Sequence, residues 1–210
     1  MDKVQLLKSL KQEGFSKSII DAFSKVKREN FITENMKSKA YEDTALPIGE
    51  GQTISQPYTT ATMLSLLSLK KSQRVLEIGS GCGYVLALMS EMVGKKGKVF
   101  GMEIVGGLAE KSKENLEDYK NVKVFHKSGF EGFPEKAPFD RIILSAACRS
   151  IPEKLMSQLK EGGILVAPQG SRFEQEIVVI QRKTDTEFEV IKKLPGFVFV
   201  PFVEDDDNKQ

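Results

Sequence analysis

Chemistry is most legible at Val75-Leu76-Glu77-Ile78-Gly79-Ser80-Gly81-Cys82-Gly83-Tyr84, where an apolar run stops and glycines alternate. Glycine there allows a tight turn and the close approach of a ligand that a side chain would block. Such a turn is either a plain strand-to-helix connection or a cradle for a nucleotide-like cofactor. A dinucleotide asks for Gly-x-Gly-x-x-Gly with its pyrophosphate on the helix N-terminus. Here the spacing is Gly-x-Gly-x-Gly, with Glu77 two residues before the first glycine. A second acid, Glu103, ends the next apolar run at about the separation expected of a carboxylate gripping ribose hydroxyls. Alone it could be a solvated strand end. Turn and acid together point to an adenosine-containing ligand.

Other chemistries are poorly supplied. The sole histidine is His126 and no Gly-x-Ser-x-Gly elbow occurs, so a Ser-His-Asp system has no foundation. Cys82 and Cys148 cannot build a disulfide framework, nor a zinc site with one histidine, and they suit small buried positions in a reducing compartment. With 31 Lys and Arg against 29 Asp and Glu, the net charge of +2 gives no reason to expect nucleic acid. The N-terminus lacks a signal-peptide core, and no apolar run approaches the roughly 20 residues of a membrane span. A soluble cytoplasmic protein without a resident metal is the expectation.

The elements that must position these residues follow from periodicity. A chain of 210 residues suits a single domain over 1–210. Residues 1–40 repeat apolar positions at helical spacing, whereas 41–57 has little periodicity and is expected to be an ordered, functional loop. Thr59 to Leu69 returns to helix. From Arg74, strands alternate with helices: strands at Arg74–Ile78, Val99–Glu103, Val122–Phe125, Arg141–Leu144 and Ile164–Ala167, and helices at Tyr84–Val93, Leu108–Leu116 and Pro152–Leu159. That rhythm predicts a mostly parallel α/β sheet over a core of 74–203. Glu176–Gln181, Phe188–Ile191 and Phe197–Phe202 are expected as strands of an antiparallel C-terminal edge, followed by an acidic tail at 204–210.

Four further stretches carry a family resemblance. Tyr41-Glu42-Asp43-Thr44-Ala45-Leu46-Pro47-Ile48-Gly49-Glu50-Gly51-Gln52-Thr53-Ile54-Ser55-Gln56-Pro57 closely resembles the signature loop of protein-L-isoaspartate (D-aspartate) O-methyltransferases. Phe139-Asp140-Arg141-Ile142-Ile143 with Ala146-Ala147, and Gly162 to Pro168, look like that family's fourth- and fifth-strand segments, and Val198 to Phe202 like its terminal strand. The glycine turn resembles motif I of Rossmann-like, class I methyltransferases. The resemblance runs from about residue 15 to residue 203.

This resemblance implies a Rossmann-like fold with an N-terminal helical addition. It also implies S-adenosylmethionine as methyl donor, S-adenosylhomocysteine as product, and repair of isoaspartyl-containing proteins and peptides by a monomer. Ser55 is the family's active-site serine by motif match and would also touch substrate. Cofactor contacts are implied for Thr53, Ile54, Ser55 and Gln56, for Glu77, Gly79, Ser80, Gly81 and Gly83, and for Glu103, Ile104, Ser128, Gly129 and Gln175. Substrate contacts are implied for Val200, Pro201 and Phe202. Several positions depart from the family pattern: Lys127-Ser128-Gly129 stands where the family usually has Gly-Asp-Gly, whose aspartate faces the adenine amino group, and Cys82 replaces a serine.

The implied chemistry fits a chain without an acid–base pair. A carboxylate is already deprotonated at neutral pH, so methyl transfer to it needs alignment rather than a general base. The ester then recloses a succinimide that can hydrolyse to normal aspartate. Two rivals are a methyltransferase of the same fold with another acceptor, against which the upstream loop speaks, and a non-catalytic relative that binds the cofactor weakly.

Overall fold

The chain opens with two short amphipathic helices, α1 (Lys3–Gln12) and α2 (Lys17–Lys25). Asp2 and Gln5 cap α1 reciprocally, each side chain accepting from the other's main-chain N–H at 2.9 Å. Val26 then turns to extended geometry and is buried, so the expected helical addition gives way to 3₁₀ turns at Arg28–Phe31 and Glu34–Lys39. The computed structural model describes residues 1–171 and 173–202. The expected acidic tail, and the end of the expected core at residue 203, lie outside the described residues.

The stretch expected as a loop contains a small hairpin, β1 (Leu46–Gly49) and β2 (Gln52–Ile54). Its turn residues Glu50 and Gly51 have φ of 52° and 68°, the left-handed pair that a two-residue primed turn requires. Helix α3 (Pro57–Leu67) follows at once, with Pro57 at its first position, where no N–H is needed.

The main sheet holds seven strands: β3 (Arg74–Ile78), β4 (Lys98–Glu103), β5 (Val122–His126), β6 (Phe139–Leu144), β7 (Leu159–Gly170), β8 (Gln175–Arg182) and β9 (Phe188–Phe197). Their order is β5-β4-β3-β6-β7-β8-β9, with β8 and β9 antiparallel and the rest parallel. Helices α4 (Tyr84–Val93), α5 (Gly106–Asn115) and the single turn α6 (Glu153–Met156) make the crossovers. Side chains alternate along each strand. Val75, Val99, Ile143 and Val166 face a core shared with α2, α3 and α4, while Leu76, Phe100, Ile142 and Leu165 face a second core with Phe133, Phe139 and Leu155.

Two expectations need correction. The helix expected over 152–159 is one turn, because Leu159 already pairs with Phe139 as the start of a twelve-residue β7. The antiparallel strand expected over 197–202 is absent: β9 ends at Phe197, and Pro201 instead forms a parallel bridge to Ala147. Ala147 donates to Val200 O and accepts from Phe202 N–H, both at 2.8 Å, so the segment crosses the sheet's carboxyl end as a strap.

Candidate active site

Strand order reverses at β3, which has β4 on one side and β6 on the other. A crevice opens at such a point beyond the carboxyl ends of the strands, and the glycine turn sits in it. Gly79, Gly81 and Gly83 all adopt left-handed φ, between 52° and 87°. The N–H groups of Gly79 and Ser80 both donate to Met102 O, which folds the turn back over β4. Gly83 serves packing as well: an added Cβ would lie 2.5 Å from Ser112 Oγ of α5.

Glu103 braces the same turn. Its Oε2 accepts from Gly81 N–H at 2.7 Å and its Oε1 from Val105 N–H at 2.9 Å. The side chain is thus fixed at the rim of the crevice rather than solvated, although each oxygen keeps a further lone pair. Glu77 lies deeper. Ser145 Oγ–H donates to its Oε1 at 2.6 Å, while the buried Oε2 has no partner among the described residues. Burial, reinforced by the nearby Glu103 charge and opposed by the Ser145 bond, pushes the Glu77 carboxyl up to about 8. Ser80 Oγ is likewise buried with no partner among the described residues.

The crevice has about 840 Å³ of empty space, partly continuous with solvent. The hairpin end supplies one wall through Thr53, Ile54 and Ser55; Glu77, Gly79, Ser80, Gly81, Glu103, Ile104 and Gly129 supply the other. Val200, Pro201 and Phe202 close it on the strap side. Gly129 must be glycine, because a Cβ would come within 2.2 Å of Ile78 Cγ2. Ser55 also lines an adjoining hollow with Gln56, Ser145 and Val198 to Val200.

Four expected cofactor residues stand apart. Gln56, at the N-cap of α3, lines only the adjoining hollow. Gly83 caps α4 behind the turn and is not in the lining. Ser128 is half-buried beside Gly129, its Oγ accepting from Phe130 N–H at 3.4 Å, and is not in the lining either. Gln175 is buried outside the crevice, where its side chain accepts from Phe199 N–H at 2.7 Å and donates to Phe199 O at 3.3 Å. It ties down the strap, because the described chain gives Phe199 no sheet partner.

Sequence reasoning missed Ser145 and Arg28. Ser145 directly follows β6, next to the strand that carries Glu77, and a hydroxyl at a strand end beside an acid was a readable signal. Arg28 is wholly buried and binds the loop carbonyls; an arginine in Lys27-Arg28-Glu29-Asn30 carries no mark that separates it from a solvated one. The cysteines are inert: burial pushes Cys82 up to about 12 and Cys148 up to about 11, far from a thiolate at neutral pH. Among the described residues no cluster of three or more His, Cys, Asp or Glu is placed to hold a metal, and no helix is long and apolar enough to cross a membrane.

The pocket suits S-adenosylmethionine. Among the described residues one buried Glu77 oxygen has no partner, and a cationic group bound in the crevice would supply one and favour the ionised carboxylate that burial alone disfavours. Comparison with known proteins points the same way. The family model described as protein-L-isoaspartate(D-aspartate) O-methyltransferase matches residues 1–207. A protein-L-isoaspartate O-methyltransferase of Ignicoccus hospitalis is 42% identical over 208 residues, covering 97% of this chain and 98% of that one. A solved protein-L-isoaspartate O-methyltransferase superposes with a TM-score of 0.88 at 34% identity, over 95% of this chain and 65% of that one. A Plasmodium falciparum crystal structure, described as a candidate enzyme of the same kind in complex with S-adenosyl-L-homocysteine, gives 0.82 at 28% identity, over 95% and 97%.

Proposed function

The chain belongs to the protein-L-isoaspartate(D-aspartate) O-methyltransferase family, and from that premise we propose how its own residues divide the work. It is a protein-repair methyltransferase that esterifies the free α-carboxylate of L-isoaspartyl residues in damaged proteins and peptides. When bound, S-adenosylmethionine supplies an electrophilic methyl group carried on a sulfonium. Glu77 would hold the cationic amino-acid end, helped by Ser80, and Glu103 would offer its remaining lone pairs to the ribose hydroxyls. Ile104 and Gly129 would border the nucleoside, with Ser128 beside them. Thr53 and Ile54 would cover the cofactor from the hairpin side and exclude water, with Gln56 beside them in the adjoining hollow.

Ser55 carries the acceptor side. The acceptor carboxylate is its own nucleophile, so the enzyme has to orient it and shield it, not deprotonate it. Ser55 Oγ–H would donate to that carboxylate and aim one oxygen across the crevice. The observation that carries this reading is the place of Ser55 on the wall shared by the crevice and the adjoining hollow. Val200, Pro201 and Phe202 would receive the peptide main chain. Val200 O and Phe202 N–H are already bonded to Ala147, whereas Val200 N–H and Pro201 C=O carry no hydrogen bond among the described residues. Those groups are open to an extended peptide. The extra main-chain methylene of isoaspartate is what a joint grip on carboxylate and backbone would select.

We further propose that residues 1–210 act as one methyltransferase unit, a cytoplasmic monomer that needs neither nucleic acid nor membrane. The modest net charge supports that reading. Ser55→Ala tests the site. Turnover on an isoaspartyl peptide should fall roughly tenfold to a thousandfold, the loss typical of one preorganised donor. S-adenosylhomocysteine affinity and melting temperature should hardly move. Full activity in this variant would remove Ser55 from the mechanism.

A further inference from the structure

Arg28 heads the wholly buried side chains of the molecule, with 0% of its surface exposed. Burying a charge is expensive unless it is solvated by the protein, and among the described residues no carboxylate pairs with it. Main-chain carbonyls do the solvating. Nη1 donates to Ala40 O at 2.7 Å and to Glu42 O at 3.4 Å; Nη2 donates to Thr44 O at 3.0 Å and to Ser55 O at 3.1 Å. Among the described residues Nε has no partner.

The pattern of acceptors is informative. Thr44 lies just before β1 and Ser55 just after β2, so one nitrogen pinches the base of the hairpin that forms the crevice wall. The other nitrogen holds the chain leading into it. A planar guanidinium can reach four carbonyls at once from a fixed fork, which neither an ammonium nor an apolar side chain of similar volume can do. On the far side of Ser55, Asp43 Oδ1 accepts from Tyr58 N–H at 2.8 Å and fixes the start of α3. Ser55 is therefore held by its own carbonyl on one side and by an anchored helix on the other.

We infer that Arg28 is a positioning residue for the methyl transfer: it sets the main chain of Ser55, and so the aim of the Ser55 hydroxyl. This rests on the proposed role of Ser55. It acts before any peptide arrives, since all four bonds lie within the protein.

A double-mutant cycle tests it, with Arg28→Lys, Ser55→Ala and the pair compared on an isoaspartyl peptide. Arg28→Lys keeps the charge and loses the fork; kcat/KM should fall about a hundredfold, as for a misplaced reacting group. S-adenosylhomocysteine affinity should change far less, because Glu77, Glu103 and the glycine turn sit on other elements. In the Arg28→Lys background, Ser55→Ala should cost only a small part of what it costs alone. Losses that multiply in full would overturn the inference, because Arg28 would then act through something other than Ser55. A harmless Ser55→Ala is a different failure, that of the Ser55 role itself. Should Arg28→Lys not fold, Arg28→Met takes its place in the cycle. If neither folds, Arg28 holds the whole protein together and the inference is overturned as well.

Discussion

Replacing Glu103 with glutamine exchanges one oxygen for an amide nitrogen and removes the charge. The wild-type carboxylate accepts from Gly81 N–H at 2.7 Å and from Val105 N–H at 2.9 Å, one on each oxygen. An amide must turn its NH₂ toward one of these two donors, so one part-buried main-chain N–H loses its acceptor in either orientation. Hydrogen bonds to charged groups contribute about 1.5–3 kcal/mol each. In a chain of this length 1 kcal/mol moves Tm by about 2–4 °C, so Glu103→Gln should melt about 3–12 °C below wild type. The cofactor should suffer separately. Lone pairs proposed for the ribose hydroxyls drop from charged to neutral acceptors, a loss of about tenfold or more in S-adenosylhomocysteine affinity. Calorimetric melting and titration read the two effects independently. An unchanged Tm would refute the bracing of the glycine turn, and a lower Tm with unchanged affinity would show that Glu103 is structural only.

Two further outcomes follow from the same site. Burial holds the Glu77 carboxyl at about 8 against an ordinary value of 4.5, so the folded protein binds this proton more tightly than the unfolded chain. The stability it contributes is full below about pH 4.5 and is lost as pH rises through about 8; Glu77→Gln should flatten that decline in urea unfolding curves collected from pH 5 to 9, and an undiminished slope would assign it to another group. Gly129→Ala would drive a Cβ to 2.2 Å from Ile78 Cγ2, so overpacking should destabilise the protein by about 1–3 kcal/mol and weaken cofactor binding; wild-type melting would show that the loop simply moves away.

Where local pattern and tertiary role agreed, the sequence was legible. Arg74–Ile78 and Tyr84–Val93 form the strand and helix that their apolar spacing predicts, because a buried parallel strand and the helix over it both need continuous apolar faces. The glycine turn, Glu77 and Glu103 are brought together as their order along the chain implies. The hairpin at 46–54 was hidden because strands of four and three residues, one with a proline, leave no alternation to read. The strap at Val200–Phe202 has the composition of a strand, but its partner is the single residue Ala147, which only the fold supplies. Gln175, expected to contact the cofactor, lies outside the crevice lining and brackets Phe199; a buried amide looks the same in sequence whichever neighbour it satisfies. Arg28 was invisible for a related reason, since its partners are main-chain carbonyls, which exist at every position and leave no trace in residue type.

The most direct test is acceptor discrimination by the wild-type enzyme. Methyl-labelled S-adenosylmethionine is offered with an isoaspartyl peptide and, separately, with its aspartyl twin of the same sequence. Label should pass to the isoaspartyl peptide, and the ester formed should decay through the succinimide to normal aspartyl peptide over repeated cycles. The aspartyl twin should stay unlabelled, because its α-carboxyl is tied up in the main chain and its side-chain carboxylate lies one methylene away from the geometry that Ser55 and the strap would select. Equal labelling of both peptides, or labelling of neither by a protein that binds S-adenosylhomocysteine, would contradict the account.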